Sequence, residues 1–390
     1  MSSLVVFSLL CLPAAEPRDL PLVEPQLLFT ATAEDPNTTL SDPVVFDGVL
    51  YFAGGNRVYA VNAAVGSELW AVDLPRGPGQ VSRPTATSDR VFVVSAGGLV
   101  SLDRRSGQQV SFSTAGRGWG ECPPVVVGEQ VIVAGNDGLI TAHDVTTGST
   151  VWTGEVLSDR TTGPGKFADY RLSGGNDVRC RGAVGDGQLY VVSLFDQCRV
   201  VAFHTQRQVD ETSDDTPESR RAWSYETGGY AGVAAVLSDD AVYVTSQGRH
   251  VACLDRETGE ERWRVTIDTW NVSRPALFDG KLYVPFAGGP IAVLDAATGQ
   301  RLADFSPPQS DGLIYTTPLV TEAAVYFPLS RAGQFVALDR RTGQVLWRVG
   351  DGLAMEFFSD PATDGETLFV TGRTSDDSGR FAVHAFGTIE

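Results

Sequence analysis

Asp255-Arg256-Glu257-Thr258-Gly259-Glu260-Glu261-Arg262-Trp263 reads Asp-x-x-Thr-Gly-x-x-x-Trp, and it is one copy of a pattern that runs the length of the chain. The tail returns as Asn62-Ala63-Ala64-Val65-Gly66 with Trp70, Asp103 with Gly107, and Asp144 with Gly148 and Trp152. It recurs again as Asp295 with Gly299, and as Asp339 with Gly343 and Trp347. The glycines at 66, 107 and 148 stand 41 residues apart, 259 and 299 stand 40 apart, and 299 and 343 stand 44 apart. A period near 40 with four strand-like runs per unit is the signature of a β-propeller blade.

Working outward from one tail gives the whole blade. Pro275-Ala276-Leu277-Phe278 is a short strand, Asp279-Gly280 favours a tight hairpin, and Lys281-Leu282-Tyr283-Val284-Pro285 returns on a pleated surface. Gly288-Gly289 turns again, and Pro290-Ile291-Ala292-Val293-Leu294 is the third run. Asp295 can hydrogen-bond the backbone of the turn after it, and Gly299 can take the positive φ that turn demands. A fourth, outer strand follows, where most units place Trp. The hairpin signal repeats as Asp47-Gly48, Asp186-Gly187 and Asp364-Gly365, with variants at Asp89-Arg90 and Asp239-Asp240. No long segment shows helical periodicity, so the class is all-β. Trp70, Trp152, Trp223, Trp263 and Trp347 read as inter-blade packing residues rather than a ligand box, because each sits at the same place in a scaffold repeat.

The hairpins open at Pro43, Pro84, Pro124, Gly182, Ala235, Pro275, Pro318 and Pro361, which makes eight antiparallel blades of four strands. The last unit runs out one strand short. Gln26-Leu27-Leu28-Phe29-Thr30 precedes the first opening and supplies that strand, with Phe29 at the Trp position. Closure by an N-terminal strand removes the exposed sheet edges of an open ring. Residues 25–390 are therefore expected as a single propeller domain, preceded by a signal-peptide-like or disordered stretch over 1–24.

The tails at 255–263 and 339–347 resemble the repeats of the quinoprotein (PQQ-like) propeller family, and the resemblance covers essentially the whole chain. That family includes PQQ-dependent dehydrogenases and the BamB-like branch of the outer-membrane barrel-assembly machine. The motif is scaffold chemistry and says much about fold and little about function. The BamB-like branch implies a non-catalytic scaffold that binds a protein partner in envelope or outer-membrane protein assembly. The dehydrogenase branch implies PQQ with Ca²⁺ held by carboxylate and amide oxygens, and a catalytic Asp beside it. The chain lacks the adjacent cysteine pair of many PQQ dehydrogenases, and no Glu/Asn/Asp set can be assigned at the mouth beyond Asp42 and Asp360. The expectation is a binding protein with no catalytic residues, no metal and no cofactor. A PQQ/Ca²⁺ dehydrogenase, and a propeller that binds a glycan or small anion, are the alternatives.

A chain of 390 residues with 42% hydrophobic content can bury an ample core. Its net charge of −18 argues against a nucleic-acid partner, since nothing offsets phosphate repulsion. Leu4-Val5-Val6-Phe7-Ser8-Leu9-Leu10-Cys11-Leu12 followed by Pro13-Ala14-Ala15 resembles the apolar part of a signal peptide, though no Lys or Arg precedes it, which leaves the true start site open. Cys11 invites lipid attachment, but Leu10 stands where a lipobox requires a small residue. An exported periplasmic or cell-envelope monomer is expected, reaching a membrane only through a lipid or a partner; the alternative is a cytoplasmic chain. No other stretch is long and apolar enough to span a membrane. Of five cysteines, Cys253 is expected as a packed thiol, and Cys122–Cys180 and Cys180–Cys198 are competing candidate disulfides. The four histidines fall singly, which argues against a metal cluster.

Propellers bind at the axial mouth or on the loops of one face, because blade interiors are consumed by packing. Reading one axial position across the blades gives Ser41, Ser82, Cys122, Cys180, Val233, Ser273, Thr316 and Ser359, a small and mostly polar ring suited to a narrow, wet channel. One residue on, Asp42, Arg83, Arg181, Arg274 and Asp360 are the charged mouth candidates. They either pair across blades and satisfy backbone groups, or build an anion-binding mouth from the arginines. Trp119, Tyr230 and Trp270 recur at one offset on the loops of that face, with Tyr315 close by. The insertion over 153–179, carrying Lys166, Tyr170 and Arg171, lies over the mouth on topology and is the first candidate for partner binding. The polar insertion over 205–221 reads as a surface loop that splits blade 4.

Overall fold

The Asp-x-x-Thr-Gly turn closes in the way its residue types require. In the computed structural model, Asp255 Oδ1 accepts the amides of Glu257 at 3.0 Å and Thr258 at 2.9 Å, while Gly259 adopts φ +75°. Asp103, Asp144 and Asp339 cap their turns through the same two amides, and Asn62 Oδ1 does so in blade 1. At the opposite hairpin, Asp279 and Gly280 both take positive φ, 51° and 66°, as do Asp47 and Gly48 at 50° and 70°. Two consecutive left-handed residues match the twist of the flanking strands, which is why Asp-Gly stands there.

The structure describes residues 24–34, 38–74, 81–95, 98–114, 123–134, 139–155, 183–185, 187–192, 199–205, 221–228, 235–246, 249–267, 273–286, 290–306, 314, 316–329, 333–350, 359–374 and 380–387. They form eight four-stranded antiparallel sheets. Seven are built from consecutive strands, and inner strands of successive sheets meet around a common axis, so the fold is an eight-bladed β-propeller. The eighth blade takes Ala362–Thr363, Leu368–Arg373 and Phe381–Gly387 from one end of the chain and Gln26–Thr32 from the other. Gln26 pairs with Gly387 and Thr32 with Ala382, the expected closing strand.

Every outer strand carries a β-bulge at one place, the residue before the Trp position. In blade 3, Trp152 pairs with Ala142 and Thr150 with His143, leaving Val151 over. The same shift leaves over Leu69, Val110, Ala222, Arg262, Leu302, Leu346 and, in the closing strand, Leu28. A bulge adds local twist and re-aims the next side chain. Here it turns the indole out of its own sheet and onto the turn glycine of the following blade. An added Cβ at Gly107 would sit 2.7 Å from the Trp70 ring, and one at Gly259 2.5 Å from Trp223. The indole N–H of Trp70, Trp223 and Trp263 then donates to the carbonyl of Arg104, Arg256 and Ala296 in the next blade, at 2.9, 3.0 and 3.1 Å.

Trp70, Trp152, Trp223 and Trp347 are buried and Trp263 half-buried, each in a cluster with apolar side chains of the following blade. Phe29 lies against Gly66 as the Trp equivalent of the closing blade. In blade 6, where Ala303 holds the Trp position, Phe305 two residues on covers Gly343 instead. In blade 2 the position is Ser111, and the hydroxyls of Ser111 and Ser113 lie against Gly148. The core is distributed between blades, with clusters such as Tyr243 and Cys253 of blade 5 packed with Leu282, Val284 and Phe286 of blade 6. Cys253 is a buried thiol, as expected, and burial pushes its pKa up to about 11.

A second fastening was not legible as such. Arg104, Arg256 and Arg340 follow the turn Asp of blades 2, 5 and 7, and each side chain reaches back to the preceding blade. Arg104 donates to Asp47 at 2.9 Å and stands over the Phe46 ring at 5.4 Å. Arg340 pairs with Asp279 at 3.3 Å over Phe278 at 4.9 Å, and Arg256 donates to Tyr190 Oη at 3.1 Å. Each also donates to a carbonyl of its own hairpin, of Ser88, Glu322 and Ser238 respectively. Arg104 and Arg256 thus each receive the neighbouring indole at the carbonyl and reach back to bolt the preceding blade with the guanidinium, while Arg340 does the second without the first.

Candidate functional site at the axial mouth

The residues just before each inner strand are placed by the strand they precede. Ser41 Oγ accepts the Ala53 amide at 3.0 Å, and Ser82 Oγ accepts the Val94 amide at 2.9 Å, tying the mouth residue to the second strand of its own blade. Between blades, Thr371 Oγ1 donates to the Ser41 carbonyl at 3.1 Å, and Thr245 Oγ1 to that of Ser273 at 3.0 Å. Ser82, Ser273, Thr316 and Ser359 are buried. These four positions are therefore not open to the expected wet channel, and the hydroxyls of Ser82, Ser273 and Ser359 serve backbone groups.

One residue on, Asp42, Arg83, Arg274 and Asp360 are half-buried at the mouth. The two carboxylates act in series across the closing seam. Asp42 Oδ1 of blade 1 accepts the Asp360 amide of blade 8 at 3.0 Å, and Asp360 Oδ1 accepts the Thr317 amide of blade 7 at 2.8 Å. Asp42 therefore staples blade 1 to the C-terminal strands of blade 8, and Asp360 staples blade 8 to blade 7. A carboxylate accepting a backbone amide is a charge-assisted bond. A Ca²⁺–quinone pair needs several converging carboxylate and amide oxygens, and that set does not assemble from the described mouth residues. Among the described residues, no group of three or more His, Cys, Asp or Glu side chains could hold a metal ion.

A cleft of about 360 Å³ opens elsewhere, on the face of the hairpin turns between blades 4 and 5. Its lining includes Asp239, Asp240, Asp255 and Glu257 with Arg256 and Arg262. Arg262, the bulge residue of its strand, bridges Asp240 at 2.5 Å and Asp255 at 2.8 Å. The Arg262 guanidinium and the turn amides hold the Asp255 carboxyl at about 2, well below the usual range. The bridge occupies the middle of the acidic lining.

Several expected residues lie outside the described residues: Trp119, Lys166, Tyr170, Arg171, Arg181, Tyr230, Trp270 and Tyr315, together with Cys11, Cys122, Cys180 and Cys198. Most of both insertions falls outside them as well. The mouth aspartates are brought together and accept backbone amides of neighbouring blades, while Arg83 and Arg274 are half-buried.

Comparison with known proteins gives three kinds of likeness. The family model described as outer membrane protein assembly factor BamB matches residues 30–219, 207–350 and 287–383. An outer membrane protein assembly factor BamB of Yersinia pestis is 27% identical over 250 residues, 61% of this chain, and the chain spans 58% of that relative's length. A quinohemoprotein alcohol dehydrogenase of Comamonas testosteroni is 30% identical over 186 residues, which cover 41% of this chain and 25% of that protein. Among solved structures, a europium-containing methanol dehydrogenase superposes with a TM-score of 0.67 at 14% identity, covering 95% of each chain, a likeness that shows the fold alone.

Proposed function

Because the chain belongs to the PQQ-like propeller family whose model is described as outer membrane protein assembly factor BamB, we propose that it is a non-catalytic scaffold that binds a protein partner in envelope or outer-membrane protein assembly. The observation that carries this reading is the match of the family model across residues 30–383 in overlapping segments. The mouth chemistry is in keeping with it, since Asp42 and Asp360 each accept a backbone amide of a neighbouring blade. The partner is held by the loops of the mouth face, with Trp119, Tyr230, Trp270 and Tyr315 as aromatic anchors and Lys166, Tyr170 and Arg171 as the insertion's contacts. On this reading the chain works in the periplasm as a monomer, requires no cofactor, and meets the membrane through its partner or a lipid on Cys11.

A pull-down from an envelope extract with the intact protein and with a variant lacking residues 154–178 tests the proposal. The variant should lose the partner while its thermal melt stays nearly unchanged. A protein that captures the same partner without the insertion overturns the assignment of that loop.

The Comamonas testosteroni likeness favours a second reading, a quinoprotein dehydrogenase. Titration with PQQ and Ca²⁺, followed by quinone absorbance and alcohol-dependent dye reduction, separates the two. A saturable response with turnover would replace the scaffold reading.

A further inference from the structure

The outer strand of blade 2, Gln109–Thr114, combines three features that occur together elsewhere only in the closing strand Gln26–Thr32. It has no Trp, it has no charged residue, and its alternate side chains Val110 and Phe112 are each 45% exposed. On its inner side Ser111 and Ser113 lie against Gly148 of blade 3, and Ser113 donates to the Gly148 carbonyl. Phe112 lies over Gly98 of the neighbouring strand, where the absent side chain leaves room for the ring. The strand pairs with Gly98–Asp103 on one edge, and its sheet ends there on the other.

An open strand edge is a template for another strand, and proteins blunt such edges with charge. Six of the other seven outer strands carry one to three charged residues each, Glu261, Arg262 and Arg264 in blade 5 being the densest set. The remaining one, the closing strand Gln26–Thr32, is also uncharged and is followed two residues on by Glu34, whose carboxylate pairs with Arg57. In blade 2 the bulge at Val110 is the sole blunting device among the described residues, and it leaves 111–114 as a regular edge.

We propose that this edge binds an extended, uncharged β-forming segment of a partner polypeptide by strand addition. Main-chain hydrogen bonds to 111–114 supply the affinity, and apolar side chains at alternate positions of the segment meet Phe112 and Val110. Charge selects this occupant. Adding a strand desolvates the groups beside it, so a charged segment would leave an unpaired charge against a neutral edge, whereas a neutral one does not. A second copy of this chain is disfavoured by mutual repulsion at a net charge of −18 each. The surface lies on the rim, not at the axis, and does not depend on what the mouth loops hold.

The probe is an end-blocked eight-residue peptide of alternating Val and Thr carrying a fluorophore, titrated with the full chain and read by anisotropy. Binding should saturate, and Phe112→Lys should weaken it at least tenfold. Val110→Lys, at a bulge position where a side chain is free to point outward, gives the same answer if the first variant loses its melt. Leu69→Lys, on a blade 1 edge that already carries Glu68 and Asp73, should leave binding unchanged. Hydrogen exchange at 111–114 should slow only when the peptide is added. No saturable binding, or saturable binding that neither Phe112→Lys nor Val110→Lys weakens, overturns the proposal. Protection of 111–114 that grows with protein concentration alone would assign the edge to self-association and overturn it as well.

Discussion

Trp152 donates its indole N–H to Gln130 Oε1, 2.9 Å away in its own blade. Trp70, Trp223 and Trp263 instead reach a backbone carbonyl of the following blade. The difference follows from blade 4, whose third strand Arg199–His204 leads into an insertion and not into an Asp-x-x-x-Gly turn. Across the seam between blades 3 and 4, Trp152 packs against Leu189, Val191, Val201 and Phe203 of blade 4.

Trp223→Phe should cost about 1–3 kcal/mol, because it leaves the buried Arg256 carbonyl without its donor. Trp152→Phe should cost less, since Gln130 is half-buried and its amide can turn to water. Urea midpoints at unchanged slope provide the comparison; equal losses would contradict that difference.

Gly259→Ala and Gly280→Ala test two different demands on glycine. Both positions have positive φ, 75° and 66°, but an added methyl at Gly280 meets nothing within 4 Å, while at Gly259 it meets the Trp223 ring at 2.5 Å. The Gly280 change should cost about 1–2 kcal/mol for the left-handed backbone alone, and the Gly259 change clearly more. Thermal or urea unfolding of the pair gives the difference directly.

Arg340→Gln should destabilise by about 2 kcal/mol, since the guanidinium is buried between the Glu322 carbonyl, Asp279 and the Phe278 face. Asp279→Asn should cost under about 1 kcal/mol, because that carboxylate is mostly exposed. A larger loss from Asp279→Asn would mean that the ion pair, and not the carbonyl and ring contacts, dominates the bolt.

Asp360→Asn keeps an oxygen for the Thr317 amide and should be mild, whereas Asp360→Ala leaves that amide and the seam between blades 7 and 8 unstapled, at a cost of about 1–3 kcal/mol. Hydrogen exchange at Thr317 should rise in the Ala variant and not in the Asn variant.

His384 sits in the closing blade with Nδ1 3.4 Å from Thr30 Oγ1 and Nε2 3.2 Å from the Arg373 carbonyl. Burial holds its pKa down at about 4, against 6.5 when unfolded. The folded state thus favours the neutral ring, and the unfolded chain binds the extra proton. Stability is unaffected above about pH 6.5 and falls as pH drops from there towards 4, by up to about 3 kcal/mol. His384→Gln should flatten the urea midpoint across that window; an unchanged pH slope would remove His384 as its source.

The architecture was legible because it rests on local chemistry repeated many times. Asp-Gly hairpins, Asp-capped turns and Trp spacing each report a backbone conformation that few residues can adopt, and their copies in different blades corroborate one another. Phe29 could be assigned to the closing strand by spacing alone. What escaped the reading depends on contacts between repeats. The bulge that aims Trp70 leaves no composition signal, since its residue is Leu, Val, Ala or Arg in different blades. The arginine bolt could have been found by noticing that Asp-Gly hairpins at 47, 186 and 279 are each followed one blade later by an Asp-Arg turn, at 103, 255 and 339. The mouth aspartates were visible, but their partners are backbone amides, to which sequence gives no pointer.

The pairing of Gln26 with Gly387 has an implication for how the gene could have been written. Since the two extremities of the wheel lie side by side, a short bridge between them and a cut in any connection between blades would spell the same circle from a new first letter. Only the cyclic succession of sectors is physical; which of them is translated first is a matter of punctuation.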